Sequence, residues 1–115
     1  IDIAVSHLDA PLALLRNDSP TIGDWVGLVV LGPRIGGRVE LISGHDAPTQ
    51  IVPLVSAGSY LSDNDPRVVL TLPKGSESAV VRVHRPGQDS REYHGLKTGR
   101  YWLLPVSGPA LEMMR

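Results

Sequence analysis

Ala79-Val80-Val81-Arg82-Val83-His84-Arg85-Pro86-Gly87 is the stretch on which the fold turns. Val81 and Val83 alternate with Arg82 and His84, the period of a strand with one apolar and one wet face. Pro86-Gly87 then stops the strand and supplies a turn. Arg38-Val39-Glu40-Leu41-Ile42 repeats the alternation upstream. Working outward, twelve Gly and ten Pro divide the whole chain into short segments. Strands are expected at Asp2–Val5, Leu12–Arg16, Trp25–Leu31, Arg38–Ile42, Gln50–Val55, Val68–Leu72, Ala79–His84, Arg91–His94 and Tyr101–Val106. Between them lie Asp18-Ser19-Pro20, Gly32-Pro33, Ser43-Gly44-His45-Asp46, Asp63-Asn64-Asp65-Pro66, Pro73-Lys74-Gly75 and Pro86-Gly87. Regular short strands with such turns predict an all-β domain, an antiparallel β-sandwich or a barrel-like fold. Helical spacing is confined to Ala110–Met114.

The same patterns place the strands. Trp25–Leu31 is apolar on both sides and reads as a central strand, or as one covered by the N-terminal segment. Pro53 cannot donate to a ladder, which puts Gln50–Val55 at an edge or a bulge. The expected core holds Trp25, Leu28, Val39, Leu41, Val81 and Val83. Residues 1–17 form a strand-turn-strand unit with a boundary near Asn17–Thr21. Two strands cannot bury their own apolar faces. The unit is expected either to dock on the following domain or to belong to a blade with further strands, and packing on the remainder is the prediction.

Composition narrows the function classes. The 115 residues carry 11 Lys and Arg against 12 Asp and Glu, a formal net charge of -1. No basic excess or charged tail favours nucleic acid. No Cys is present, which removes disulfides, thiolate zinc sites and thiol catalysis. The longest apolar run falls well short of the roughly 20 residues of a membrane helix. Ile1-Asp2-Ile3 starts inside a strand pattern and not in a basic leader, so the chain is expected to be part of a larger protein.

Motifs for chemistry are weak. No G-x-S-x-G elbow exists, and Ser43, Ser56, Ser59 and Ser76 sit in turn-like contexts. Gly95-Leu96-Lys97-Thr98-Gly99 lacks the Gly directly before Lys that a phosphate loop needs, and a strand follows it. His7, His45, His84 and His94 have no zinc spacing. Asp63-Asn64-Asp65 offers oxygen ligands, but Pro66 and Arg67 follow where a calcium loop would continue. Turn hydrogen bonding is the plainer reading of that cluster. No catalytic, metal or cofactor-binding residue is assigned. Tyr60, Ser62, Asp63, Asn64, Asp65 and Arg67 are the candidate binding or structural loop.

Ser56-Ala57-Gly58-Ser59-Tyr60-Leu61-Ser62 followed by Asp65-Pro66-Arg67 resembles the signature of the ASPIC/UnbV domain family. Trp25-Val26-Gly27-Leu28, Ile35-Gly36-Gly37-Arg38-Val39 and Val81–Gly87 are similar to further blocks in the same order. Asp2–Val5 and Leu14–Asn17 resemble the end of an FG-GAP/VCBS propeller repeat. Arg85 stands where the family has Trp, and Val69–Pro73 replaces a Phe-Gly-Leu-Gly-like block. The resemblance implies a repeat end at 1–17, a β-sandwich at 18–108 and a tail at 109–115. It further implies a non-catalytic binding or interaction module appended to a β-propeller, in an exported protein of the extracellular space or periplasm. Adhesion, glycan recognition or assembly would be its role. The expected partners are the preceding propeller repeats, with a glycan or protein ligand and neither nucleic acid nor membrane insertion. The alternatives are a structural cap of the propeller and an accessory domain of a biosynthetic protein. A concave patch with Tyr60, Arg67 or Trp102 would favour binding, and an apolar face on Asp2–Arg16 would favour capping.

Overall fold

The computed structural model describes residues 2–21, 23–43 and 48–114. His45 and its neighbours Gly44 and Asp46, read above as a turn, lie outside the described residues. Ten strands follow in order: β1 (Ile3–Val5), β2 (Ala13–Leu15), β3 (Gly23–Val30), β4 (Arg38–Leu41), β5 (Gln50–Pro53), β6 (Val68–Pro73), β7 (Ser78–His84), β8 (Arg91–Lys97), β9 (Arg100–Leu104) and β10 (Leu111–Glu112). Two four-stranded sheets, β10-β9-β3-β6 and β5-β4-β7-β8, form the sandwich, and β1-β2 is a separate hairpin. The fold is all-β and sandwich-like, with no closed barrel among the described residues. All pairings are antiparallel except β3 with β9. β3 is an interior strand and β5 an edge, in each case one of the two placements read from the apolar run and from Pro53.

The core is the sum of two inward faces. Val26, Leu28, Val30, Val68, Leu70, Leu72 and Leu104 come from one sheet. Val39, Leu41, Ala79, Val81, Val83, Tyr93 and Leu96 come from the other. Burying one such Leu or Val is worth about 1.5–3 kcal/mol before conformational entropy is set against it. Trp25 is the exception to the expected core. It is only partly buried and sits on the outer face, because period two cannot send Trp25 and Leu28 to the same side.

Two boundaries differ for identifiable reasons. β8 runs three residues past His94, through Gly95 to Lys97. Ala79 pairs with Leu96 while Val81 pairs with Tyr93, so β8 carries one extra residue there. Gly95 takes φ 69° at that bulge, a conformation that glycine adopts without a Cβ clash. The bulge restores phase, and Leu96 returns to the core. Gly95 is therefore inside a strand and does not begin a turn. At the C-terminus, Leu111 pairs with Leu103 and Glu112 with Trp102. Ala110–Met114 is extended and not helical, because the free edge of β9 offers it backbone partners. The expected tail thus adds an edge strand to the sandwich.

Arg85, only 5 % exposed, closes the sandwich at one end. Its Nε donates to the Leu31 carbonyl at 3.0 Å and its Nη2 to the Leu104 carbonyl at 2.8 Å, both on the opposite sheet. Both terminal nitrogens also reach the Tyr93 hydroxyl at 3.3 Å, and that hydroxyl donates to the Pro105 carbonyl. A buried cation is tolerated when its donors are met, and here carbonyl oxygens meet them.

The hairpin contradicts the packing prediction. β1 and β2 pair with each other, and Ile3, Leu8, Leu12, Leu14 and Leu15 are all exposed. The Asp2 carboxylate accepts the Asn17 N–H at 2.8 Å, which closes the hairpin on itself. Arg16 pairs with Asp18 at 2.7 Å, and Pro20 stiffens the exit. The radius of gyration, 16.1 Å, exceeds the roughly 13 Å of a compact chain of this length. The hairpin adds extent without adding burial.

Candidate binding surfaces

The loop leading into β6 is built around one pair. Asp65 accepts the backbone N–H of Arg67 at 2.9 Å and the Arg67 Nε at 2.8 Å, and Nη2 closes on the same carboxylate. The Arg67 side-chain bonds, then its backbone N–H, hold the Asp65 carboxyl down at about 2. The Asn64 amide occupies the space a Cβ on Gly58 would need, at 2.4 Å. Ser62 N–H reaches the Ser59 carbonyl at 3.4 Å, and Leu61 between them takes φ 49°. Tyr60, at 89 % exposure, and Leu61 stand at the tip in solvent. Of the six candidate residues, the fold joins Asp65 to Arg67 and seats Asn64 on Gly58. Tyr60, Ser62 and Asp63 are exposed, and among the described residues Asp63 has no side-chain hydrogen bond.

Arg67 links this loop to a groove on the outer face of the β3 sheet. Its guanidinium carbon lies 5.1 Å from the centre of the Tyr101 ring, within cation–π range. Tyr101 is paired with Gly27 across β9 and β3. A Cβ on Gly27 would meet the Tyr101 ring at 2.1 Å, so the missing side chain is what lets the ring lie across β3. Trp25, two residues along, contacts Tyr101 with ring centres 5.1 Å apart and planes at 58°. Arg100 and Glu112 pair at 2.5 Å beside them. With Met113 they complete a groove of about 700 Å³.

Only Arg67 of this groove was anticipated as a site residue. Trp25, Tyr101, Arg100 and Glu112 were not. A glycine inside a strand marks a close approach by a neighbour, and Gly27 two residues from Trp25 was the available signal. Trp102, one of three residues whose place in a concave patch would favour binding, turns the other way. It packs at the margin of the core, and its indole N–H donates to the Lys97 carbonyl at 3.1 Å.

The outer face of the β4 sheet is a charge ladder. Glu40, 6 % exposed, accepts from Arg38 Nε at 2.8 Å and from Arg82 Nη1 at 3.4 Å. His84 Nε2 lies 3.1 Å from the same carboxylate but outside hydrogen-bond geometry. The Arg38 hydrogen bond, helped by the nearby His84 ring, lowers the Glu40 pKa against the opposing effect of burial. Glu92 pairs with Arg82 at 2.8 Å and with His94 at 3.1 Å. His84 and His94 thus serve as strand-face partners of carboxylates. No group of three metal-ligating side chains converges among the described residues. No helix among the described residues is long and apolar enough to cross a membrane.

No family model, curated protein or solved structure matches the chain.

Proposed function

We propose that this chain is a non-catalytic interaction module held on a neighbouring β-propeller of an exported protein. The observation that carries the reading is the N-terminal hairpin. It exposes Leu12 and, on two strands that among the described residues pair only with each other, Ile3, Leu14 and Leu15. Two-stranded sheets are marginal in water, and apolar residues on both faces favour cover by further strands. Propeller strands supply both the missing edge partners and the missing apolar layer, and the FG-GAP/VCBS likeness of residues 1–17 names the same neighbour.

A purely structural cap would use the same hairpin. The groove around Arg67 and Trp25 favours a module with a ligand of its own over a cap alone.

Hydrogen exchange of the 115-residue chain and of the full-length gene product tests the docking. Backbone amides at Ile3–Val5 and Ala13–Leu15 should exchange fast in the isolated chain and become protected in the longer protein. Equal, fast exchange in both would overturn the proposal.

A further inference from the structure

We propose that the groove between β9, β10 and the β3 face is a binding site for a neutral oligosaccharide. The inference rests on a surface separate from the hairpin, so it can fail while the docking reading stands, and the reverse.

Three features point to that chemistry. The first is rigidity. Tyr101 lies across Gly27 with the Arg67 guanidinium over its ring, and Trp25 is braced against Tyr101. Walls already ordered cost a ligand little conformational entropy on binding. Trp25 presents a half-buried indole to the groove, and the C–H face of a pyranose packs on such a ring.

The second is charge balance. Arg67 is neutralised by Asp65, and Arg100 by Glu112. An anionic ligand would face two carboxylates and a cationic one two guanidinium groups. A neutral ligand leaves both pairs intact. A long apolar side chain fits less well, because it would strip water from two ion pairs with nothing in return.

The third is the hydrogen-bond inventory. An Arg side chain carries five donors, and Asp65 engages only the Nε and Nη2 of Arg67. Among the described residues, Arg67 Nη1 has no acceptor in or near the groove. Glu112 receives Arg100 Nη1 on Oε1 and keeps Oε2 as an acceptor. A donor, Arg67 Nη1, and an acceptor, Glu112 Oε2, therefore line the same groove as Trp25 and Tyr101, which is the complement of sugar hydroxyls that both give and accept. The volume, about 700 Å³, falls within the roughly 300–1,000 Å³ of small-ligand sites.

The test is a titration monitored by tryptophan emission and calorimetry. The probes are hexasaccharides of cellulose, laminarin, xylan and mannan, with a heparin hexasaccharide as the anionic arm. Saturable binding of at least one neutral sugar is expected. Its affinity should change little between low and moderate salt, because no net charge is matched. Trp25→Ala should weaken it by tenfold or more on the order of a lost stacking anchor, and Trp25→Phe should recover part of the loss. Glu112→Gln provides a second variant that leaves the aromatic floor in place and should also weaken binding. Gln88→Ala, in the turn between β7 and β8 of the opposite sheet, should bind like the parent. No saturation with any neutral sugar would overturn the proposal, as would binding indifferent to both Trp25→Ala and Glu112→Gln. Salt-sensitive binding of the heparin fragment alone would also overturn it.

Discussion

The N-terminal hairpin and the sandwich are written in the same local language, yet only one of them buries its apolar side chains. Leu14 on β2 is 75 % exposed while Leu28 on β3 is fully buried. Both sit in short apolar strands bounded by turn residues. β2 has one neighbour, β1, whereas β3 has β6 on one side, β9 on the other and a second sheet below. Burial follows from the number of layers and not from the hydrophobicity of the strand. Apolar pattern states what a strand can bury, and only its neighbours determine whether it does.

The sharpest break in that comparison comes from deleting side chains on either side of it. Leu28→Ala should lower stability by about 2–5 kcal/mol, through lost transfer energy and a residual cavity. Urea denaturation reads this as a shift in midpoint. A loss below about 1 kcal/mol would show that the two sheets pack loosely.

Next in size are two positions that hold the sandwich together without being apolar. Arg85→Ala removes the donors serving the Leu31 and Leu104 carbonyls and should cost about 1–3 kcal/mol for the buried acceptors left unmet. Gly27→Ala drives a methyl into the Tyr101 ring, for which about 1–3 kcal/mol of overpacking is expected. That variant should also change the Trp25 emission, because Tyr101 must leave its seat. An unchanged spectrum with unchanged stability would contradict the Gly27–Tyr101 contact.

A smaller effect lies in acid. The folded pKa of Glu40 is lowered from 4.5, so its contribution is complete above that value and is lost as pH falls through the folded pKa. Asp65 behaves with the same sign between 3.8 and about 2. Glu40→Gln should flatten the stability profile below about pH 4.5 without altering its slope at neutral pH. A profile identical to the parent's would remove Glu40 from the account.

The smallest expected change is in the hairpin. Leu14→Ser should leave the unfolding midpoint of this chain within about 0.5 kcal/mol of the parent. A clear loss would mean that the hairpin packs on the sandwich in solution, and the contrast with β3 would dissolve.

Much of this was legible in the residues themselves. The alternation in Arg38–Leu41 and Ala79–His84 named the inward face of one sheet, and Pro53 named an edge or a bulge. Turn hydrogen bonding was the plainer reading of Asp63-Asn64-Asp65, and of the three Asp65 accepts the Arg67 N–H while Asp63 has no side-chain hydrogen bond among the described residues. What escaped was a matter of pairing. The helical spacing at Ala110–Met114 became a strand because β9 had an unpaired edge within reach. The strand expected to end at His94 runs on through a bulge at Gly95, which returns Leu96 to the core. The groove escaped for the same reason: Trp25, Arg67, Arg100 and Glu112 are far apart in sequence, and only the parallel pairing of β3 with β9 and the addition of β10 bring them together.

The sequence by itself determined the strands, their wet and dry faces and most of their turns, because these depend on φ/ψ preference and period-two alternation within a few residues. Tertiary structure alone decided which strands became neighbours, that Trp25 faces outward against Tyr101, that Arg85 spans the two sheets and that the hairpin remains uncovered. Those outcomes turn on contacts between residues distant along the chain, whose free energy depends on which surfaces are left to pair once the sheets have assembled.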